Sequence, residues 1–266
     1  MKDFQQFVLW WYSLHGRHNL PWRQNYDPYQ VLVSELMLQQ TQVERVIPKY
    51  EAFIKQFLTV ELLANAPLSE VLIAWQGLGY NRRAKFLHQT SKAVSEKGGV
   101  FPYTLDGLLK LPGIGPYTAS AVAAFSYNQP VVVIETNIRT VFIHHFFPNQ
   151  ESVPDSELLP LINESIDIDN PRRWYSALMD YGSTLKRLLP NPTRKSKSYK
   201  KQSTFKGSVR QTRGEILRIL STADQMQKND LLKQLESRQE NHQKALDQLI
   251  SEGLVFQDSG KISLAA

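Results

Sequence analysis

The chain contains no cysteine. Disulfide bridges and thiolate-held metal clusters are therefore excluded. No stretch is long and apolar enough to span a bilayer. The opening Met1-Lys2-Asp3-Phe4 lacks the basic, apolar and small-residue sections of a secretion signal, so a cytoplasmic protein without a membrane partner is expected. There is no long internal repeat and no strong compositional sign of disorder. One absence is local: no Asp or Glu occurs between Lys186 and Arg213, while Lys and Arg recur throughout that stretch. Over the whole chain 31 Lys and Arg outnumber 25 Asp and Glu, for a net charge of +6. That balance is consistent with a polyanionic partner. The 266 residues suffice for one or two domains with a real core.

What is present is mostly helix-forming. Apolar spacing predicts helices over residues 4–14, 28–42, 43–57, 68–75, 82–97, 105–110 and 117–126. Pro21, Pro28, Pro48, Pro67, Pro102 and Pro112 read as helix starts or breaks. Residues 131–134 are β-branched and read as a short buried extended run, followed by a helix from about Asn137. Residues 158–166 and 171–188 close this part as helices.

Two segments carry chemical information. Leu111-Pro112-Gly113-Ile114-Gly115-Pro116-Tyr117-Thr118 reads as a two-glycine turn leading into a helix. Gly113 and Gly115 can adopt angles closed to other residues and leave no side chain in the way of a ligand. Pro116 suits the first helical position. The free N–H groups of such a turn form an anion site that accepts a DNA phosphate irrespective of sequence. The same pattern would also serve an ordinary helix-turn-helix corner. Upstream, Glu35 stands in an apolar helical run with Tyr29, Val31, Leu32, Val33, Leu36, Met37 and Leu38. Either it is a surface glutamate, or desolvation raises its pKa and it can hold a proton near neutrality.

These segments occur in order with Leu20-Pro21-Trp22-Arg23, Gly77-Leu78-Gly79-Tyr80 and Ala177-Leu178-Met179-Asp180-Tyr181-Gly182. Together, from about Phe4 to about Leu188, they resemble the helix-hairpin-helix DNA glycosylases, and most nearly the adenine DNA glycosylases of the MutY type. The resemblance implies an all-α, two-lobed helix-hairpin-helix glycosylase core over residues 1–189, with lobes at about 23–130 and at 1–22 plus 131–189. A basic linker at 190–211 and a module at 212–266 would follow.

The resemblance also implies roles. Glu35 matches the acid that protonates the purine at N7. Glu135, in Ile134-Glu135-Thr136-Asn137, stands where the family carries an Asp that stabilises the developing sugar cation, and it could equally be a glutamate favoured by a helix N-terminus. Tyr117 replaces the nucleophilic lysine of strand-cutting relatives, so removal of a base without strand cleavage is expected. Gln40 with Thr41, and Leu78 with Tyr80, match wedge elements that touch the DNA when a nucleotide is flipped out. Gly113, Gly115 and Thr118 would contact phosphates, and Trp22 and Ser176 would line the base pocket. The substrate implied is double-stranded DNA with a mismatched or damaged base, acted on by a monomer associated with the nucleoid.

Three departures stand out. The family's four-cysteine iron–sulfur loop is replaced by residues 185–193, so no cluster is expected; a monovalent cation at the hairpin is the one cofactor the resemblance allows. Ser176 stands where the family has an adenine-reading Gln or Glu. The family's Nudix-like domain, which recognises 8-oxoguanine, has no counterpart in the tail. Predicted helices at 212–220, 228–235 and 241–252, then a hairpin whose strands flank residues 257–260, look instead like a winged helix. Its third helix would present Arg238, Asn241, His242 and Lys244 to a groove, or the tail is a small interaction module of the same shape. The expected activity is hydrolysis of adenine from pairs with 8-oxoguanine or guanine. The alternatives are a mismatch thymine or uracil glycosylase and a non-catalytic DNA-binding protein.

Overall fold

The computed structural model describes residues 1–266. In chain order the helices are α1 (Lys2–His15), α2 (Pro28–Leu38), α3 (Val43–Gln56), α4 (Val60–Asn65), α5 (Leu68–Ala74), α6 (Arg82–Ser95), α7 (Leu105–Leu109), α8 (Pro116–Tyr127), α9 (Thr136–Phe146), α10 (Asp155–Glu164) and α11 (Pro171–Leu188). The tail adds α12 (Val209–Leu220), β1 (Met226–Gln227), α13 (Lys228–Gln234), α14 (His242–Ser251), β2 (Val255–Asp258) and β3 (Lys261–Leu264). No helix is long and apolar enough to cross a membrane. The fold is all-α apart from one small sheet.

The chain forms two compact units, 1–32 with 102–110 and 115–201, and 33–101 with 111–114 and 202–266. In the first, α9 and α11 pack along each other around Ile138, Phe142, Trp174 and Leu178, all fully buried. Phe4 of α1 meets the rings of Phe142 and Trp174 edge-on. Each such buried aromatic contributes about 1.5–3 kcal/mol of transfer free energy. Gly182 of α11 is required where the two helices touch. A Cβ there would stand 2.2 Å from the Asn137 carbonyl oxygen. The extended run before α9 has no strand partner. The Tyr175 hydroxyl instead accepts from Val133 N at 3.1 Å and donates to Val131 O at 2.7 Å.

The cysteine-free stretch after α11 folds back on this unit. Residues 192–195 make a 3-10 turn in which Thr193 is buried against the Thr140 hydroxyl. Val153 exchanges backbone bonds with Lys195 and Lys197. The first half of the basic linker expected at 190–211 is thus tied down by hydrogen bonds. The division of the units also departs from the expected lobes. Residues 115–130 group with the first unit because α8 packs on α11, and 202–266 group with the second.

In the second unit Val46, Tyr50 and Phe53 form the buried stripe of α3, and Trp75 closes edge-on against Phe53. Pro48 lies inside α3 and does not break it; it is exposed, so the carbonyl it orphans faces water. The tail has the expected three helices and hairpin. It adds one short strand, giving an antiparallel sheet of order β1-β3-β2 with Met226 opposite Ile262. The module rests on α6 through Lys85 Nζ, which donates to Glu252 O at 2.5 Å. Of the four residues expected to read a groove, Arg238 and Lys244 are exposed. Asn241 donates to Gly207 O at 3.1 Å, and the buried His242 ring pairs with Ser237 O at 2.8 Å. Those two hold the module's own turns.

Candidate functional site

Glu35 is 6 % exposed, on a helix buried nearly all round by Leu32, Val33, Leu36 and Met37. The surface-glutamate alternative does not hold. Ser34 and Glu35 are the polar residues buried in α2.

The helix ends four residues before the predicted position because Arg83 collects its last carbonyls. Arg83 Nη1 donates to Leu36 O, Met37 O and Gln39 O at 2.5, 3.0 and 2.6 Å. Nη2 donates to Leu78 O and Gly79 O at 3.2 and 2.9 Å, and to the Thr41 hydroxyl at 3.3 Å. One buried guanidinium thereby fixes both of the turns expected to act as wedges. Burial pushes its pKa down to about 10, so it stays charged at neutral pH. The sequence reading missed Arg83. Its available signal was a pair of arginines at the start of α6, where the helix dipole disfavours cations.

At the tips of these turns Gln40 and Tyr80 adopt φ of 58° and 48°, values uncommon outside glycine. Gln40 is exposed and Tyr80 half-buried. Leu78, expected to touch DNA, is only 4 % exposed and belongs to the core. The turn can reach a ligand through Tyr80 and not through Leu78.

In the glycine hairpin, Gly113 has φ of 74°, and a Cβ would stand 2.5 Å from Phe86 Cβ. Glycine is obligatory there on both counts. Gly115 has φ of −90°, extended backbone open to any residue, so the expectation of a special angle fails for it. Its Cβ position faces open space, which leaves the start of α8 accessible. Pro116 takes the first helical position as expected. Thr118 is buried in the first turn, so a phosphate contact there would use backbone and not its side chain.

Glu135 caps α9. Its Oε1 accepts from Asn137 N and Ile138 N at 2.6 and 2.8 Å, and Oε2 accepts from Asn137 Nδ2 at 3.1 Å. Burial raises its pKa, opposed by those two amides and then by the charges of Lys186 and Arg139. Burial in turn lowers Lys186, opposed by Glu135. Lys186 lies one turn beyond Gly182 on α11, the helix that packs against α9.

Trp22 and Ser176 are both buried. The Ser176 backbone carbonyl accepts from Arg23 Nη2 at 3.5 Å. Trp22 is followed by Arg23, which with Arg17 grips Asp180: Arg23 Nη1 lies 2.8 Å from Oδ2 and Arg17 Nη2 2.6 Å from Oδ1. Two sequence motifs are thus joined by one ion-pair cluster. Tyr117 is half-buried at the margin of the first unit's core. Of the expected site residues, Glu35, Gln40, Thr41, Leu78, Tyr80 and Gly113 fall in the second unit. Trp22, Gly115, Tyr117, Thr118, Glu135 and Ser176 fall in the first.

Comparison with known proteins identifies the family. Residues 33–160 match the family model of HhH-GPD superfamily base excision DNA repair proteins. An adenine DNA glycosylase of Mycolicibacterium smegmatis is 35% identical over 280 residues, covering 97% of this chain and 94% of that protein. One from Buchnera aphidicola is 39% identical over 184 residues, covering 68% of this chain; there the chain spans about half the relative's length, 52%. A solved thermostable thymine-DNA glycosylase superposes with a TM-score of 0.60 at 25% identity, covering 68% of this chain and 85% of that one. The chain belongs to the HhH-GPD superfamily of base excision DNA repair proteins, in its adenine DNA glycosylase branch.

Proposed function

We propose that this chain hydrolyses the N-glycosidic bond of adenine in double-stranded DNA, where adenine faces 8-oxoguanine or guanine, and leaves the strand intact. The observation that carries the reading is Glu35, a carboxyl buried in an apolar helix. Burial favours the protonated form of a carboxyl, which is the form a general acid needs. The proton passes to N7, so the base departs neutral with the electron pair of the C1′–N9 bond. Glu135 offsets the positive charge that develops on the sugar. Water adds to C1′, and the proton it loses restores the acid. The products are free adenine and an abasic site. Relatives named adenine DNA glycosylase support the choice of base.

Single-lesion duplexes carrying adenine opposite 8-oxoguanine or guanine, and thymine or uracil opposite guanine, test this. Each is incubated with protein and then treated with alkali to reveal abasic sites. Adenine release is expected, and Glu35→Gln should abolish it while duplex binding survives. Release of thymine or uracil without adenine would overturn the choice of base. Adenine release by Glu35→Gln at the unsubstituted rate would overturn the assignment of the acid.

A further inference from the structure

We propose that Arg210, held against Tyr80 and Phe205, reads the base left opposite the excised adenine and selects a base of the guanine type. This rests on the reading of the reaction given above. After leaving the first unit, the chain returns along the wedge turns of the second. Gln202 Nε2 donates to the Tyr80 hydroxyl and lies 3.5 Å from Gln40 Oε1. Arg210 Nη1 donates to the same hydroxyl, and its Nη2 donates to Ser203 O at 2.8 Å. The guanidinium carbon lies 5.2 Å from the Tyr80 ring centre and 5.8 Å from that of Phe205. Phe205 is 61% exposed.

Three features set this cluster apart from ordinary surface packing. Four non-glycine residues have positive φ. Asn128 ends α8 and Ser259 makes the hairpin turn, which accounts for two of them. The other two, Gln40 and Tyr80, both lie in this cluster, and backbone strain of this kind concentrates where ligands are held. Next, Arg210 has no carboxylate partner, whereas Arg213 pairs with Glu252 and Arg139 with Asp155. Last, an exposed ring beside a guanidinium is the surface on which an unstacked base lies.

A glycosylase that flips adenine out leaves its partner unpaired, with one π-face and one hydrogen-bonding edge unmatched. Guanine and 8-oxoguanine both present the O6 acceptor on the edge where adenine and cytosine present an amino donor. A fixed guanidinium, which can only donate, favours the first pair and repels the second. Gln202 donates through its nitrogen to Tyr80, and its carbonyl oxygen can accept the N7–H that 8-oxoguanine has and guanine lacks. The tail would thus contribute to specificity through the strap that leads into α12, and not through the helix expected to read a groove.

The test uses the full-length protein and single-turnover excision of adenine opposite 8-oxoguanine, guanine and cytosine. Arg210→Ala should lower the 8-oxoguanine-to-cytosine and guanine-to-cytosine rate ratios about tenfold or more. Arg210→Lys keeps the charge but not the planar, stacking fork, and should fail to restore them. Gln202→Ala should lower the 8-oxoguanine ratio more than the guanine ratio. Unchanged ratios in Arg210→Ala overturn the inference while the functional reading stands. So does full rescue by lysine, which would mark a phosphate contact, and so does equal acceleration on every duplex, which would mark a cover over the wedge. An unsubstituted protein that releases no adenine from any duplex overturns the functional reading and this inference with it. Should Arg210→Ala fail to melt cooperatively, Phe205→Leu and Gln202→Ala carry the same measurement.

Discussion

The Arg83 guanidinium donates to the Gln39 carbonyl at 2.6 Å, and through its other nitrogen it reaches the turn that carries Tyr80. One side chain holds two segments far apart in sequence, and it does so by satisfying backbone carbonyls and not by pairing with an acid. Two residues with left-handed backbone, Gln40 and Tyr80, persist because this cation over-determines their turns.

Arg83→Met keeps the length of the side chain and removes every donor. Several buried carbonyls then lose their partner, and the loss of stability should be about 3 kcal/mol or more. Urea unfolding measures it. Affinity for duplex DNA should fall as well, because Gln40 and Tyr80 relax. A variant that is destabilised but binds duplex as tightly as before would show that the geometry of the two turns does not matter for binding.

Glu135 is one methylene longer than the aspartate that the resemblance implies at this position. The carboxylate reaches past the cap position to accept two amides of α9 and the Asn137 side chain. Gly182 lets α11 pack against α9, and the charge of Lys186 opposes the rise in the carboxyl's pKa. Shortening the side chain in a pocket shaped for glutamate should therefore slow excision, by about a hundredfold if the oxygen moves by an ångström. Single-turnover rates of Glu135→Asp decide the matter. A faster variant would mean that the family's aspartate still fits, and that glutamate here marks a weakened site.

Asp180 gives a pH-dependent signature. Burial alone would raise its pKa, but the hydrogen bonds and charges of Arg23 and Arg17 outweigh it, and the pKa lies below the ordinary aspartate value. A depressed folded-state pKa contributes stability above the unfolded value, about 3.9, and that stability is lost as pH falls through the folded value. Asp180→Asn leaves two arginines without their partner and should cost about 3–5 kcal/mol at neutral pH. The difference between the two proteins should shrink as the pH drops below the ordinary aspartate range. Thermal or urea melts at several pH values test this, and a difference that stays constant into acid would dissociate Asp180 from the ion-pair cluster.

Much of this was legible in the sequence where the signal is local. The run 171–188 reads as one helix because its apolar spacing, starting proline and basic end all agree, and the tail reads as three helices from amphipathic spacing and a hairpin from turn chemistry. What was hidden depends on contacts between distant residues. Nothing near Arg83 announces that it will cap a helix ending at Leu38. Gly182 looks like any helical glycine until Asn137 is placed against it. Leu78 and Thr118 were assigned to DNA from their motifs, but a motif gives chain position and not which way a side chain is buried. The short strand β1 exists only because β3 lies beside it.

In the proposed reaction, Tyr117 is the residue that stops the chemistry at the abasic site. It occupies the second residue of α8, directly after the glycine turn, and is half-buried against the core of the first unit. A strand-cutting glycosylase needs an amine that attacks C1′ and forms a Schiff base, and a phenol cannot form one. The product from a duplex with adenine opposite 8-oxoguanine should therefore keep an intact backbone until heat or alkali is applied. Borohydride added during turnover should trap no covalent protein–DNA adduct. The measurement also tests every lysine at once, Lys186 included, whose pKa burial lowers. An adduct in useful yield would overturn the single-step reading. Its absence in Lys186→Met would then identify the nucleophile, and its persistence there would direct the search to the exposed lysines of the basic stretch.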